Sequence, residues 1–246
     1  MDASLTLAAD DPLAREAADA IRTGDVERLR GLLDANPGLA AARITRDDAQ
    51  PDATVEDLPT CTLLHVATDH PGHLLAVGRT IEVLVASGAD PDAPFTGPHA
   101  ETALHWAASN DDVEAVEALI RAGADLEAPG AVIGDGSGTP LADAVAFGQW
   151  RAAEHLFHAG ATPNLWQAAG LGLVDRVEAL LDAEPAPDAD DLTTALWCAA
   201  HGGRRACVDL LLARGADPAW IGFDGLTAAD AARRAGHGEL ADALTP

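Results

Sequence analysis

The chain has 246 residues, 48% of them apolar, and a formal charge of −25 with only 15 cationic side chains. So acidic a surface repels nucleic-acid phosphates and anionic lipid heads, which excludes nucleic acid and membrane as partners and favours a basic or neutral one. Every cation is arginine, and lysine and tyrosine are absent, so no lysine Schiff base, lysine base or phenolic acid can operate.

In chain order, residues 1–11 read as a flexible tail and 12–246 as one domain. A first helical hairpin spans Ala20 to Leu33 around Gly24-Asp25, with Arg22, Glu27 and Arg30 outward. A long acidic loop at 37–60 follows, holding Asp47, Asp48, Asp52, Glu56 and Asp57 among prolines and alanines. Thr62-Leu63-Leu64-His65-Val66-Ala67 then opens a helix whose apolar successor ends in Ser87-Gly88-Ala89-Asp90-Pro91. The same order of parts returns from Thr102-Ala103-Leu104-His105-Trp106 to Gly123-Ala124-Asp125, and from Thr139-Pro140-Leu141 to Gly160-Ala161-Thr162-Pro163. It returns again from Leu165 to Ala183, from Thr194-Ala195-Leu196-Trp197-Cys198 to Gly215-Ala216-Asp217-Pro218, and over Asp224 to Leu244. Glycine at these ends suits a left-handed helix terminus, and proline beyond it stops the helix. A hairpin of this size cannot bury its own apolar face and must stack on its neighbours. The expected fold is an all-α solenoid of about seven helix-turn-helix units, two of them caps, with short β-hairpin fingers and one continuous core.

The phrase Thr-Ala-Leu-His-Trp-Ala-Ala at Thr102 to Ala108, with Gly-Ala-Asp after the second helix, resembles the ankyrin repeat, and the resemblance covers most of residues 13 to 244. Arginine-only cations with abundant Ala, Asp and Gly match the codon bias of a GC-rich bacterial genome, so the expected class is a bacterial-type, cytoplasmic ankyrin protein. The resemblance gives His65 and His105 a structural role, tying neighbouring fingers, with Asp230 as the terminal substitute. It also implies protein–protein binding through the fingers and the concave wall of first helices. On that wall or its edge stand Asp69, His70, Ser109, Asn110, Asp112, Phe147, Leu171, His201 and the finger residue Trp220.

The register is uneven. Steps from Leu64 to Leu104, Leu141, Leu165 and Leu196 are 40, 37, 24 and 31 residues. The short step leaves no finger between Gly160 and Leu165, whereas Ala128 to Gly138 enlarges the one before. Trp166 and Trp197 read as replacing the histidine in successive units beside the missing finger, with indole N–H groups free either to pack or to orient a ligand. This supports an alternative: a binder of a small apolar molecule, or a cofactor-independent isomerase or cyclase, with Asp69, His70, Asp143 or His201 as acid or base and a pocket between the fourth and sixth units. A flat wall would remove that alternative. Asp143 faces an apolar core and is expected to rotate until its oxygen reaches water. Cys61, Cys198 and Cys207 form neither a disulfide framework nor metal spacing, and neither metal nor cofactor is implied.

Overall fold

The computed structural model describes residues 5–46, 58–97, 99–130, 138–222 and 224–245; the acidic cluster from Asp47 to Asp57 and most of the enlarged finger lie outside them. Among the described residues fourteen helices form seven pairs: α1 (Pro12–Thr23) with α2 (Val26–Ala35), α3 (Leu63–Thr68) with α4 (Val77–Ala86), α5 (Ala103–Ser109) with α6 (Val113–Arg121), α7 (Pro140–Ala146) with α8 (Trp150–Ala159), α9 (Leu165–Leu171) with α10 (Val174–Leu181), α11 (Ala189–His201) with α12 (Arg205–Ala213), and α13 (Ala228–Arg234) with α14 (Gly238–Leu244). A small sheet joins the first two units. In it β1 (Thr6–Leu7) runs parallel to β2 (Arg43–Thr45), which pairs antiparallel with β3 (Thr60–Thr62). Thr6 and Leu7, expected in a loose tail, are thus held by backbone pairing.

Local chemistry starts the inner helices. Thr62 and Thr102 cap α3 and α5, and the third helical residue of each, His65 or His105, returns a ring nitrogen to the cap N–H. Asn164 with Gln167, Asp188 with Asp191 and Thr227 with Asp230 repeat this reciprocal box on α9, α11 and α13. Two sequence assignments are corrected by these caps. Gln167, not Trp166, occupies the histidine position of the fifth unit, and Trp166 takes the place held by Leu64 and Leu104. Thr194 lies inside α11, because the helix begins at Ala189 and absorbs the residues that would otherwise form a finger.

The outer helices are amphipathic; α6, for example, buries Ala115, Val116, Ala118 and Leu119 and turns its charges outward. The inner helices stack in the order α1, α3, α5, α7, α9, α11, α13, and the outer ones in the order α2, α4, α6, α8. At the short step α8 packs on α9 more than on α10. The core divides at the same place. One block of buried residues runs from Ala14 to Ala161 with Leu171, the other from Leu165 to Leu244, and the half-buried Trp166 and Leu173 touch both. The expected single continuous core is therefore two blocks with an aromatic and a leucine at the joint. Five residues of connection between α8 and α9 cannot supply the packing that a finger supplies elsewhere.

Candidate functional site

The histidine position organises the inner wall. His65 Nδ1 accepts from the Thr62 N–H at 3.3 Å, leaving the proton on Nε2, which donates to the Glu101 carbonyl at 3.0 Å. His105 repeats this with the Thr102 N–H at 3.0 Å and the Gly138 carbonyl at 3.4 Å. Burial lowers both imidazoles to about 4, so they are neutral donors at neutral pH. In the sixth unit Trp197 does the same job with another side chain, its Nε1–H donating to the Leu226 carbonyl at 3.0 Å. Each acceptor is the residue just before the next unit's capping threonine: Thr102, Thr139 or Thr227. The Trp197 N–H, open from sequence either to packing or to a ligand, is thus spent on the stack. In the last unit Asp230 accepts from the Thr227 hydroxyl at 2.7 Å, and that bond holds its carboxyl below the ordinary range.

The fifth unit breaks the rule. Gln167 Oε1 accepts from the Asn164 N–H at 2.9 Å, which turns the Nε2 amide outward. The carbonyl it would have reached belongs to Thr193, and that residue is already inside α11. Among the described residues Nε2 has no protein partner, although Gln167 is only 4% exposed.

That amide lines a half-enclosed cavity of about 1020 Å³ between the fourth and seventh units. Its walls are Ala146 and Phe147 beside α7, Trp166 and Gln167 on α9, Trp197 and His201 on α11, with Trp220, Asp224 and Arg234 at the far end. Arg234 and Asp224 form an ion pair, which neutralises the one guanidinium in the lining. His201 lies between Trp150 and Trp197, with ring centroids 5.4 and 5.2 Å away. Burial, helped by the Arg234 charge, lowers its pKa, so the ring is neutral. The turn after α7 admits this ring because Gly148 has no Cβ; one there would lie 2.7 Å from His201 Cε1.

The other expected wall residues gather on the second and third units. Arg46 reaches Asp69 at 3.3 Å and stacks over Trp106. His70 Nδ1 meets Asn110 Oδ1 at 3.3 Å, the Asn110 amide donates to the Thr68 carbonyl at 2.9 Å, and the Ser109 hydroxyl donates to the His105 carbonyl at 2.9 Å. Three expectations are corrected. Asp112 is 1% exposed, accepts from the Ala115 and His73 N–H groups, and is a buried anchor rather than a contact residue. Leu171 is buried in the core, since the helix turns it away from the wall. Asp143 is fully buried, so its carboxyl does not reach water.

Of the four acid–base candidates only His201 lines the cavity; Asp69 and His70 lie beside α3 at the other end of the stack. Among the described residues no three metal-ligating side chains gather, and no helix is long and apolar enough to cross a membrane. Sequence reasoning missed Gln167, Asp224 and Arg234. The spacing Asn164-x-x-Gln167 is itself a capping-box signature and marks Gln167; nothing local marks the other two.

Comparison with known proteins identifies the repeats. A family model of ankyrin repeats in three copies matches residues 64–165, and a single ankyrin-repeat model matches 191–221. No curated protein matches the sequence. Among solved structures the chain is similar to the ankyrin repeat domain of human ASB11, at 20% identity over 96% of this chain and 98% of that one, with a TM-score of 0.49. With repeat models matching more than half of its length and seven stacked helical hairpins to show for it, the chain belongs to the ankyrin-repeat family.

Proposed function

We propose that this is a bacterial-type cytoplasmic binding protein that holds another protein, basic or neutral in charge, against its first helices and fingers. Ankyrin repeats generally serve protein–protein interaction. The observation that carries the reading is a fixed row of acids and amides on a chain of charge −25. Asp92 Oδ1 accepts from the Asp125 N–H at 2.8 Å, and Glu127 Oε1 accepts from the Thr162 N–H at 2.8 Å, so carboxylates that follow one outer helix are tied to the backbone that follows the next. Along the wall Asn110 and His70 are held by hydrogen bonds, and Asp69 is ordered by its pairing with Arg46. Side chains already ordered in the free protein cost little entropy when a partner's cations arrive. Catalysis is the weaker reading, because Asp224, the carboxylate that shares the cavity with His201, is occupied by Arg234.

The test is selection from a displayed library of random linear peptides of mixed charge. Enriched peptides are expected to carry net positive charge and to lose about tenfold or more in affinity when Ser109 and Asn110 are both replaced by arginine. Enrichment of acidic peptides, or binding indifferent to that pair of substitutions, contradicts the proposal.

A further inference from the structure

The inner wall contains a donor that the stack does not use, and it opens onto an aromatic cavity whose ion pair, Asp224 with Arg234, is net neutral. In the second, third and sixth units the outward N–H of the histidine position is tied to the next unit's backbone. In the fourth unit that position is Ala142, which offers nothing. Only Gln167 keeps an N–H₂ group aimed away from its own helix, inside a side chain that is nearly all buried. Nε2 itself is not fully buried, so this donor opens into the cavity, where a ligand's acceptor can take the place of water. The surroundings restrict what that is. Trp166, Trp197 and Phe147 present ring surface, Trp197 has no N–H to spare, His201 is neutral, and Arg234 is paired with Asp224. The volume of about 1020 Å³ is at the upper end of the roughly 300–1,000 Å³ that small-molecule pockets span.

We propose that this cavity binds a small, flat, uncharged molecule bearing a carbonyl-type oxygen, which accepts a hydrogen bond from the Gln167 Nε2 amide while its ring system lies against Trp166 and Trp197. This goes beyond capture of a protein partner and uses a different part of the wall. An anion is disfavoured by the charge of −25. Among the described lining residues a cation finds no carboxylate free of its arginine. A pure hydrocarbon leaves the amide unpaired.

Three fluorescent probes separate these cases: Nile red, neutral and planar with a carbonyl; diphenylhexatriene, neutral with no acceptor; and anilinonaphthalene sulfonate, an anion. Nile red is expected to saturate at one per chain and to bind at least about tenfold more tightly than the other two. Ala146→Phe fills the cavity from a half-exposed position, and Phe147→Ala removes a ring that is 49% exposed; both are expected to weaken Nile red while circular dichroism and melting are retained. Gln167→Glu keeps the capping oxygen and deletes the donor, so it should weaken Nile red by about tenfold and leave diphenylhexatriene unchanged. Absence of saturable Nile red binding, or binding indifferent to both Ala146→Phe and Phe147→Ala, overturns the site. Equal affinity for diphenylhexatriene, or no effect of Gln167→Glu on Nile red, overturns the proposed ligand class. Failure of all three dyes, with a selected peptide losing affinity on Ala146→Phe, assigns the cavity to a protein side chain instead.

Discussion

His65 and His105 are wholly buried, and their pKa of about 4 makes the fold sensitive to acid. A solvated imidazole titrates near 6.5, so below about that pH the unfolded chain takes up protons that the folded chain refuses until about 4. Stability is therefore full above pH 6.5 and is lost as pH falls towards 4, by roughly 3 kcal/mol for each histidine across that window. Urea midpoints at pH 7, 5.5 and 4.5 should fall steadily in the wild type and less in His105→Gln, since glutamine closes the same capping box at position 167. Equal slopes in the two proteins would show that the histidines are not the sensor. The capping half of these two roles was legible because Thr-x-x-His is a local pattern, and the tie to the next unit was legible through the resemblance to the ankyrin repeat. The role of Trp197 was not, because donation to Leu226 depends on the neighbouring unit arriving within reach.

Helix α11 shows why element boundaries were less legible. From sequence this helix is placed at Thr194-Ala195-Leu196 because that phrase matches the other units, whereas the helix starts at the capping box Asp188-x-x-Asp191. Packing chose the earlier start, since the longer helix lies along α9 and covers what a finger covers elsewhere. Close approach of these two helices depends on glycine. A Cβ on Gly202 would lie 2.4 Å from the Gly170 carbonyl oxygen, a backbone atom that cannot step aside. Gly202→Ala is expected to cost roughly 1–3 kcal/mol by overpacking. Gly31, within α2, has open space at its Cβ, and Gly31→Ala is expected to stabilise by roughly 0.5–1 kcal/mol through helix propensity. Chemical denaturation of both variants checks the pair; a neutral Gly202→Ala would mean that α9 and α11 can part at no cost.

The stack as a unit is two apolar blocks that meet at Trp166 and Leu173. In a linear array stability is close to a sum of unit and interface terms, so a weak interface sets where cooperativity fails. Leu173→Ala is expected to remove roughly 1–3 kcal/mol at this joint. It should broaden the urea transition, lower its slope, and let amides of α11 to α14 exchange ahead of those of α3 to α8. One transition of unchanged slope would show that the blocks are coupled through other contacts. The opening at the joint is also what leaves the cavity, so the short step between units has both a mechanical and a binding consequence.

Charge and the excluded chemistries follow from composition, the repeat period from a recurring phrase, and the Thr-x-x-His caps from neighbours within one helical turn. The cavity, the division of the core, the burial of Asp112, Asp143 and Leu171, and the leftover amide of Gln167 follow from none of these. Each depends on how far one hairpin slides and rotates against the next. That is settled when every apolar face competes for cover at once, a condition no local pattern encodes.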